Sequence, residues 1–426
     1  MFENIGMYAR VAAFIFALAG EEIRLIAGGI VTRQQARWFG STASEDRKLN
    51  IVIVGASFAG HQVARIIANN LPPRSPYRVV VVEPSSHFVF TWVLPRYCVA
   101  KGHEHKAFVP YGGYTDAAPD GAVRWIKDRV VSVTRESVEL QDSKEVIPYS
   151  HLVIATGSNV KHGLPSRVHE TEKSAGMKLL QEMQHDIERS KDLVVVGGGA
   201  AGVEVATDAK AKYPDKKVTL VHSRNALMHR FGEKLQVAAL QGTEKLGVEV
   251  ILEDRVVGRD EDSKTVHLKS GRELECDVLI NCVGQKPSSD LIAQLSPTSI
   301  STTGHIKVRP TLQVEGDGFS NIYACGDVAD TKTPNPNARS ASRQAVVVAR
   351  NILQEAQGRL PDNIYENHWG DGVIKLTLGL DRSVGYIGDD KSGLLFESRE
   401  KAEELMAANC WRHMGKKPYE DDTKLP

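Results

Sequence analysis

The stretch Leu193-Val-Val-Val-Gly197-Gly198-Gly199-Ala200-Ala201-Gly202-Val203-Glu204 decides the fold. An apolar run meets spaced glycines and continues into good helix formers. In that order Gly197 makes the tight turn, Gly199 admits a pyrophosphate close to the backbone, and Gly202 lets the helix pack on the strand. The helix start then offers unpaired N–H groups and a positive dipole end to the phosphates. About 140 residues upstream stands a second copy, Asn50-Ile-Val-Ile-Val-Gly55-Ala56-Ser57-Phe58-Ala59-Gly60. Two such turns in one chain imply two bound nucleotides, one of them a flavin.

The upstream copy is a complete βαβ unit. Ile51 to Val54 reads as a strand covered on both faces, and Val63, Ile66, Ile67 and Leu71 recur at helical spacing before Pro72 and Pro73 end the helix. Arg78-Val-Val-Val-Val-Glu83 is the next strand, and its terminal carboxylate is placed to accept hydrogen bonds from an adenosine ribose. Ser57 replaces the second glycine, so the pyrophosphate approaches less freely there than at Gly199. In the second unit the matching strand, Lys217-Val-Thr-Leu-Val-His222, ends in histidine and is followed by Ser223-Arg224. No carboxylate waits for a free 2′-hydroxyl, and Arg224 either pairs a 2′-phosphate or is plain exposed surface. His151-Leu-Val-Ile-Ala155-Thr156-Gly157 and Asp277-Val-Leu-Ile-Asn-Cys-Val-Gly284 are matching strand-and-turn closures of the two units. Asn321-Ile-Tyr-Ala-Cys325-Gly326-Asp327 is a further strand ending in Gly-Asp, with a helix expected from Ala338 to about 357.

The 426 residues leave room for two or three domains. Formal net charge is zero, which argues against nucleic acid as a required partner. The cysteines Cys98, Cys276, Cys282, Cys325 and Cys410 form no Cys-x-x-Cys pair, so no zinc knuckle or local dithiol is encoded, and most are expected to be buried apolar residues. His87, His103 and His105 lack Cys or acidic partners at ligand spacing and read as surface histidines, and no metal site is expected. The segment from Phe88 to Tyr114 has no clear period and is a candidate wall of the flavin pocket. Residues 123–147 read as a small meander, Gly372 to Phe396 as strands, and Arg399 to Met414 as a helix.

Residues 1–47 precede the first unit. Val11 to Ala19 is apolar for nine residues before Glu21 and Glu22, too short to cross a bilayer. Arg10, Arg24, Arg33 and Arg37 with Ser41-Thr42-Ala43-Ser44 fit a mitochondrial presequence, against which Glu3, Glu21 and Glu22 stand. The other readings are a secretory signal ending at Ala19, which a redox enzyme using cytosolic nucleotides disfavours, and an uncleaved amphipathic extension lying on a membrane or on the protein. Mitochondrial or membrane association is the expectation.

The order of these motifs resembles the two-dinucleotide-binding-domain flavoproteins. Val196-Gly-Gly-Gly-Ala-Ala-Gly-Val-Glu204, Val218-Thr-Leu-Val-His-Ser223 and Cys410-Trp-Arg-His-Met414 look most like the apoptosis-inducing-factor-2, or ferroptosis suppressor, family with its fungal relatives. The resemblance covers about residues 48–415. It implies an α/β fold of two Rossmann-like domains, a discontinuous FAD domain (48–160 and 290–360) with an inserted NAD(P)H domain (161–289), and an α+β C-terminal region (361–426). FAD would lie on Gly55, Ala56, Ser57, Phe58, Ala59, Gly60, Glu83, Thr156, Gly157, Gly326 and Asp327, the last holding the ribityl chain. NAD(P)H would lie on Gly197, Gly199, Gly202, His222, Arg224 and Gly284. Glu204 matches a family glutamate near the flavin–nicotinamide contact, against a plain helix-surface role, and Gln344 would head a helix aimed at the flavin ring. A helix dipole near the flavin would favour the reduced anion.

The resemblance implies hydride transfer from NAD(P)H to the flavin and electron transfer to a small quinone-like acceptor. Two readings rival it: a tailoring oxidoreductase of specialised metabolism, and a nucleotide-sensing flavoprotein with a regulatory or cell-death role. The animal proteins carry an N-terminal myristoylation signal, whereas Phe2 here replaces the required glycine, so the extension would have to substitute for that anchor. These residues do not set an oligomeric state.

Overall fold

A computed structural model describes residues 2–39, 49–72, 74–115, 118–389 and 392–421. The stretch Ser41 to Ser44, weighed above as part of a presequence, lies outside them. The chain opens with a long helix, α1 (Phe2–Phe39). Then come β1 (Leu49–Val54), α2 (Phe58–Asn70), β2 (Tyr77–Val82), the short α3 (Leu94–Tyr97), β3 (Val123–Ile126) and β4 (His151–Ile154). A crossing strand β5 (Ser158–Val160) and α4 (Lys173–Arg189) lead to β6 (Asp192–Val196), α5 (Ala200–Lys212), β7 (Lys217–Val221), α6 (Glu233–Lys245), β8 (Glu249–Ile251) and β9 (Val278–Asn281). After β10 (Gln285–Pro287) the chain returns through β11 (Ile322–Ala324) and α7 (Ala338–Glu355). It ends in β12 (Ile374–Thr377), β13 (Arg382–Gly388), β14 (Gly393–Arg399) and α8 (Ala407–His413).

Two parallel sheets result, with strand orders β11-β4-β1-β2-β3 and β8-β7-β6-β9. Their central strands are runs of Val and Ile because helices or loops cover both faces; Ile51, Val52, Ile53 and Val79 to Val81 have no exposed surface. In each sheet the chain leaves the first strand on one side and returns on the other, which opens a crevice at its carboxyl end where ligands bind. In the first sheet that crevice lies between β1 and β4, in the second between β6 and β9. The antiparallel pair β5–β10, Ser158 opposite Pro287, carries both crossings between the units. An antiparallel sheet, β12-β13-β14, closes the chain.

Three expectations change. Val123–Ile126 is the fifth strand of the first parallel sheet, paired with β2; the separate meander starts only at Val130. Its side chains are all partly buried, so periodicity did not separate the two. The C-terminal helix is confined to Ala407–His413, because β14 runs on to Arg399 and turns occupy the residues between. The segment from Phe88 to Tyr114 builds core: Phe88, Val93, Leu94, Arg96, Tyr97 and Cys98 are buried. His87 is buried too and pairs with Asp421 at 3.0 Å, while His103 pairs with Glu403 at 3.0 Å.

Candidate functional site

The two glycine turns are built alike. Gly55 N–H donates to Val82 O at 2.9 Å and Gly197 N–H to Val221 O at 2.9 Å. Both residues have positive φ, +93° and +114°, the region that favours glycine. A Cβ on Gly60 would lie 1.8 Å from Gly55 O, and one on Gly202 would lie 1.9 Å from Gly197 O. Both therefore set the closeness of helix to strand, and at Gly60 that role comes before any contact with a phosphate. Gly199 is different, since a Cβ there meets no atom within 4 Å. Ser57 and Gly199 stand exposed as the N-caps of α2 and α5. Neither helix has a side-chain cap or an acid in its first turn, so the leading N–H groups remain available to an anion. Gly157 and Gly284, with φ of +66° and +89°, flank the same crevices and also face open space. Phe58 packs on Phe88 and Trp92, and Ala59 is buried where Gly326 passes.

The strand ends carry the difference between the units. Glu83 Oε2 accepts from Ala56 N–H at 2.8 Å and Oε1 from Ser85 N–H at 2.8 Å. Each carboxylate oxygen retains a second lone pair for a ribose hydroxyl. His222 takes the same post: its Nδ1 accepts from Gly198 N–H at 3.1 Å. That bond places the proton on Nε2, which is buried near the Ala226 backbone. Burial first, then the neighbouring charges of His229 and Arg224, hold the ring's pKa down at about 4, so it is neutral. The second unit thus has a neutral imidazole where the first has a carboxylate. Arg224 is exposed beside it.

Asp327 sits at the crossing of the units. Its Oδ2 takes Ser158 Oγ at 3.2 Å, Gln285 Nε2 at 3.3 Å and Arg167 at 3.4 Å. Thr156 Oγ1 donates to Ser288 O at 2.7 Å, tying the β4 and β10 turns together. Gln344 lies well inside α7 rather than at its head. It is buried, its Oε1 accepts from Gly326 N–H at 2.7 Å, and its Nε2 donates to Thr331 at 3.2 Å. Its amide therefore braces the Gly326–Asp327 turn. The head of α7 is closed by Asn337, whose side chain accepts from Arg339 N–H at 2.9 Å and Ser340 N–H at 3.1 Å. The helix dipole persists there, but those two donors are already used.

Glu204, on α5, is partly buried and accepts from Thr377 N–H of β12 at 3.1 Å. Burial above all, with Asp208 adding to it, pushes its pKa up to about 8, against the opposing pull of the Thr377 N–H and Arg96. Asp208, one turn on, is wholly buried and paired with Arg96 at 2.7 Å. Arg96 also donates to Gly379 O at 3.0 Å and Leu380 O at 3.2 Å. One guanidinium from the first unit thus joins the second unit's helix to the C-terminal sheet. Sequence reading missed this network. The i, i+4 acids on an otherwise Val/Ala helix were a usable signal, whereas nothing local marks Arg96.

All five cysteines are free. Burial pushes Cys276 up to about 11 and Cys282, Cys325 and Cys410 up to about 12, and it raises Cys98 as well. None has the depressed pKa of a redox-active thiolate. Among the described residues no group of three or more metal-ligating side chains comes together.

Residues 49–350 match the pyridine nucleotide-disulphide oxidoreductase family. The chain is 33% identical over 396 residues to Fe-regulated protein 8 of Mycosarcoma maydis, covering 87% of this chain and 96% of that protein. It is 31% identical over 387 residues to human ferroptosis suppressor protein 1, covering 88% and 98%. Among solved structures, the sulfide:quinone oxidoreductase of Aquifex aeolicus superposes with a TM-score of 0.67 at 16% identity, covering 86% of this chain and 90% of that one. A water-forming NADH oxidase from Lactobacillus brevis, bound to NADH, gives 0.60 at 21%, covering 80% and 76%. FAD and NAD(P)H are the cofactors of this fold, and the two open glycine turns with their uncapped helix starts fit them. The chain belongs to the pyridine nucleotide-disulphide oxidoreductase family, in the group that holds ferroptosis suppressor protein 1 and Fe-regulated protein 8.

Proposed function

We propose that this protein is an FAD-dependent NAD(P)H oxidoreductase whose electron acceptor is a quinone or a similar lipophilic molecule. The balanced reaction is NAD(P)H plus a proton plus quinone giving NAD(P)+ plus quinol. FAD, when bound, accepts the hydride and supplies the electrons to the acceptor. The Gly55–Gly60 turn would hold the FAD pyrophosphate, Glu83 its adenosine ribose and Asp327 its ribityl chain. The Gly197–Gly202 turn and Gly284 would hold the nicotinamide nucleotide, with His222 and Arg224 at its adenosine end.

The observation that carries this reading is the pair of glycine turns, each leading into a helix with an uncapped start at the carboxyl end of a parallel sheet. Glu204, on the helix that follows the second turn, has its pKa pushed up to about 8 by burial, which disfavours an ionised carboxylate on that helix. The raised thiol pKa values speak against a disulfide acceptor working through protein cysteines. Stopped-flow reduction by NADH and by NADPH, followed by reoxidation with short-chain quinones, tests the proposal. Fast bleaching and fast quinone-dependent recovery support it. Bleaching followed only by sluggish recovery with every quinone would refute the acceptor and favour a nucleotide-sensing role.

A further inference from the structure

Helix α1 is built inside out. Glu21, Glu22, Arg10 and Phe14 lie on the face turned to the protein. Glu22 pairs with Arg65 at 2.8 Å, Glu21 pairs with Arg350 at 2.5 Å, and Arg10 lies over the Trp369 ring at 5.6 Å. Phe14, 7% exposed, stacks on His368 with centroids 4.5 Å apart and planes 9° from parallel. Gly28 and Gly29 bring the helix so close to the end of α2 that a Cβ on Gly28 would lie 2.5 Å from Asn70 Oδ1.

The opposite face is apolar and open to solvent. Ile15, Phe16, Ile23, Ile26, Ile30 and Val31 are all exposed, with Phe16 at 77% and Ile23 at 65%. At 100° per residue they fall within roughly 160° of arc. Tyr8 and Trp38 extend the strip towards its two ends. A contiguous apolar strip of this kind marks an interaction surface on a soluble body.

We infer that this face of α1 seats the protein on a lipid bilayer, the helix lying in the plane of the headgroup boundary. Three observations select lipid over a protein partner. The strip stands on a single helix and is broader than the narrow a/d seam that a coiled-coil partner would occupy. From Ile23 to Ser44 the sequence has Arg24, Arg33 and Arg37 and no acid, the charge an anionic surface attracts. Aromatic Tyr8 and Trp38 near the ends are the residue types that settle at a membrane boundary. No described helix is long and apolar enough to cross a membrane, so the contact is interfacial.

The seat also has a direction. The turn under Phe14, Trp369–Gly372, is tied through Asp371 to Arg343 at 2.5 Å, and Asn337 Nδ2 donates to Asp371 O at 2.8 Å. Lipid-facing α1 and the head of α7 therefore share one turn, which puts an acceptor dissolved in the bilayer on the side of the molecule where that head lies. The inference does not depend on which acceptor is used.

The test is cosedimentation of the full-length flavoprotein with vesicles of phosphatidylcholine, alone and mixed with phosphatidylserine. The wild type should sediment with both, and more strongly with the anionic mixture, by about fivefold for each arginine that reaches the surface. Ile23→Glu/Ile26→Glu and, separately, Ile15→Glu/Phe16→Glu should each lower partitioning at least tenfold. Both should keep wild-type NADPH turnover with a water-soluble quinone and an unchanged melting temperature. Wild-type protein left in the supernatant with both vesicle types overturns the inference. So does a wild-type dimer in sedimentation velocity that either variant converts to monomer, because a second copy would then cover the face. Loss of soluble-quinone turnover in the wild type would count against the proposed reaction and leave the vesicle result standing.

Discussion

Replacing Asp208 with Asn takes a negative charge away from Glu204 and leaves the geometry nearly intact. Residues four apart on a helix have Cβ atoms about 6 Å apart. With an effective dielectric of about 20, two carboxylates at that spacing repel by about 2.8 kcal/mol. At 1.36 kcal/mol per unit, that is about 2 pH units. Glu204, pushed up to about 8 in the wild type, should therefore titrate near about 6 in Asp208→Asn, since Arg96 still pulls it down. If the protonated acid is the competent form, the rate of flavin reduction by NADPH falls on the alkaline side of that pKa. The assay is stopped-flow bleaching between roughly pH 5.5 and 9, with the alkaline limb moving about two units towards acid in the variant. Asn retains an oxygen for the Arg96 bond but leaves that guanidinium uncompensated, at a cost of about 3–5 kcal/mol. The double variant Arg96→Met/Asp208→Leu removes both charges and should recover most of that stability. A limb that stays near pH 8 in Asp208→Asn, or that persists in Glu204→Gln, refutes the reasoning.

The other expectations concern the same two units. Glu204→Gln should stabilise the fold at pH 8 and not at pH 4. A carboxyl raised in the native state supplies stability that is present below its unfolded pKa and lost as pH rises through the folded value, by up to about 1.4 kcal/mol per unit; equal melting temperatures of the two proteins at pH 8 would refute this. Gly199→Val should leave a folded yellow protein that NADPH no longer bleaches, because the added side chain enters open space where the nucleotide phosphates belong; colourless protein would place that turn wrongly. Gly60→Ala should prevent folding rather than merely release flavin, since its Cβ would strike Gly55 O, and a soluble apoprotein with native circular dichroism would show otherwise. Arg224→Ala should raise the Michaelis constant for NADPH about fivefold more than for NADH, a difference of about 1 kcal/mol for an exposed ion pair; equal effects remove the 2′-phosphate role.

The parts of the fold fixed by local chemistry were readable in the residues. Glycines with positive φ, apolar runs covered on both faces and a strand-end carboxylate each have one backbone-level cause, so Gly55, Gly197 and Glu83 stood out at once. What joins the units was not readable. Arg96 meets Asp208 across 112 positions, and Glu204 meets Thr377 across 173, distances at which only the assembled fold sets the neighbour. Gln344 was misplaced for a related reason. The helix was expected from Ala338, where it does start, so Gln344 already lay inside it; what only the assembled fold sets is that its amide meets Gly326 N–H and Thr331. Val123–Ile126 joined the large sheet because Ala122 O accepts from Val79 N–H and Ile126 O from Glu83 N–H, bonds that no property of the strand itself announces.

The duplicated turn shows how one scaffold takes two chemistries. Glu83 and His222 occupy the same strand end, and each accepts a hydrogen bond from the N–H just after the first glycine of its turn. A carboxylate there offers lone pairs to ribose hydroxyls, whereas a neutral imidazole held through Nδ1 offers only the Nε2 proton. The imidazole stays neutral because a second positive charge beside Arg224 and His229 would have to be buried. On the proposed function, His222 would leave the strand end without the carboxylate that selects a free 2′-hydroxyl, and Arg224 would supply the charge. His222→Glu, which copies the first unit into the second, should shift the preference towards NADH even with Arg224 intact. An unchanged ratio of NADH to NADPH efficiency in that variant would mean that the ribose end lies away from β7 altogether.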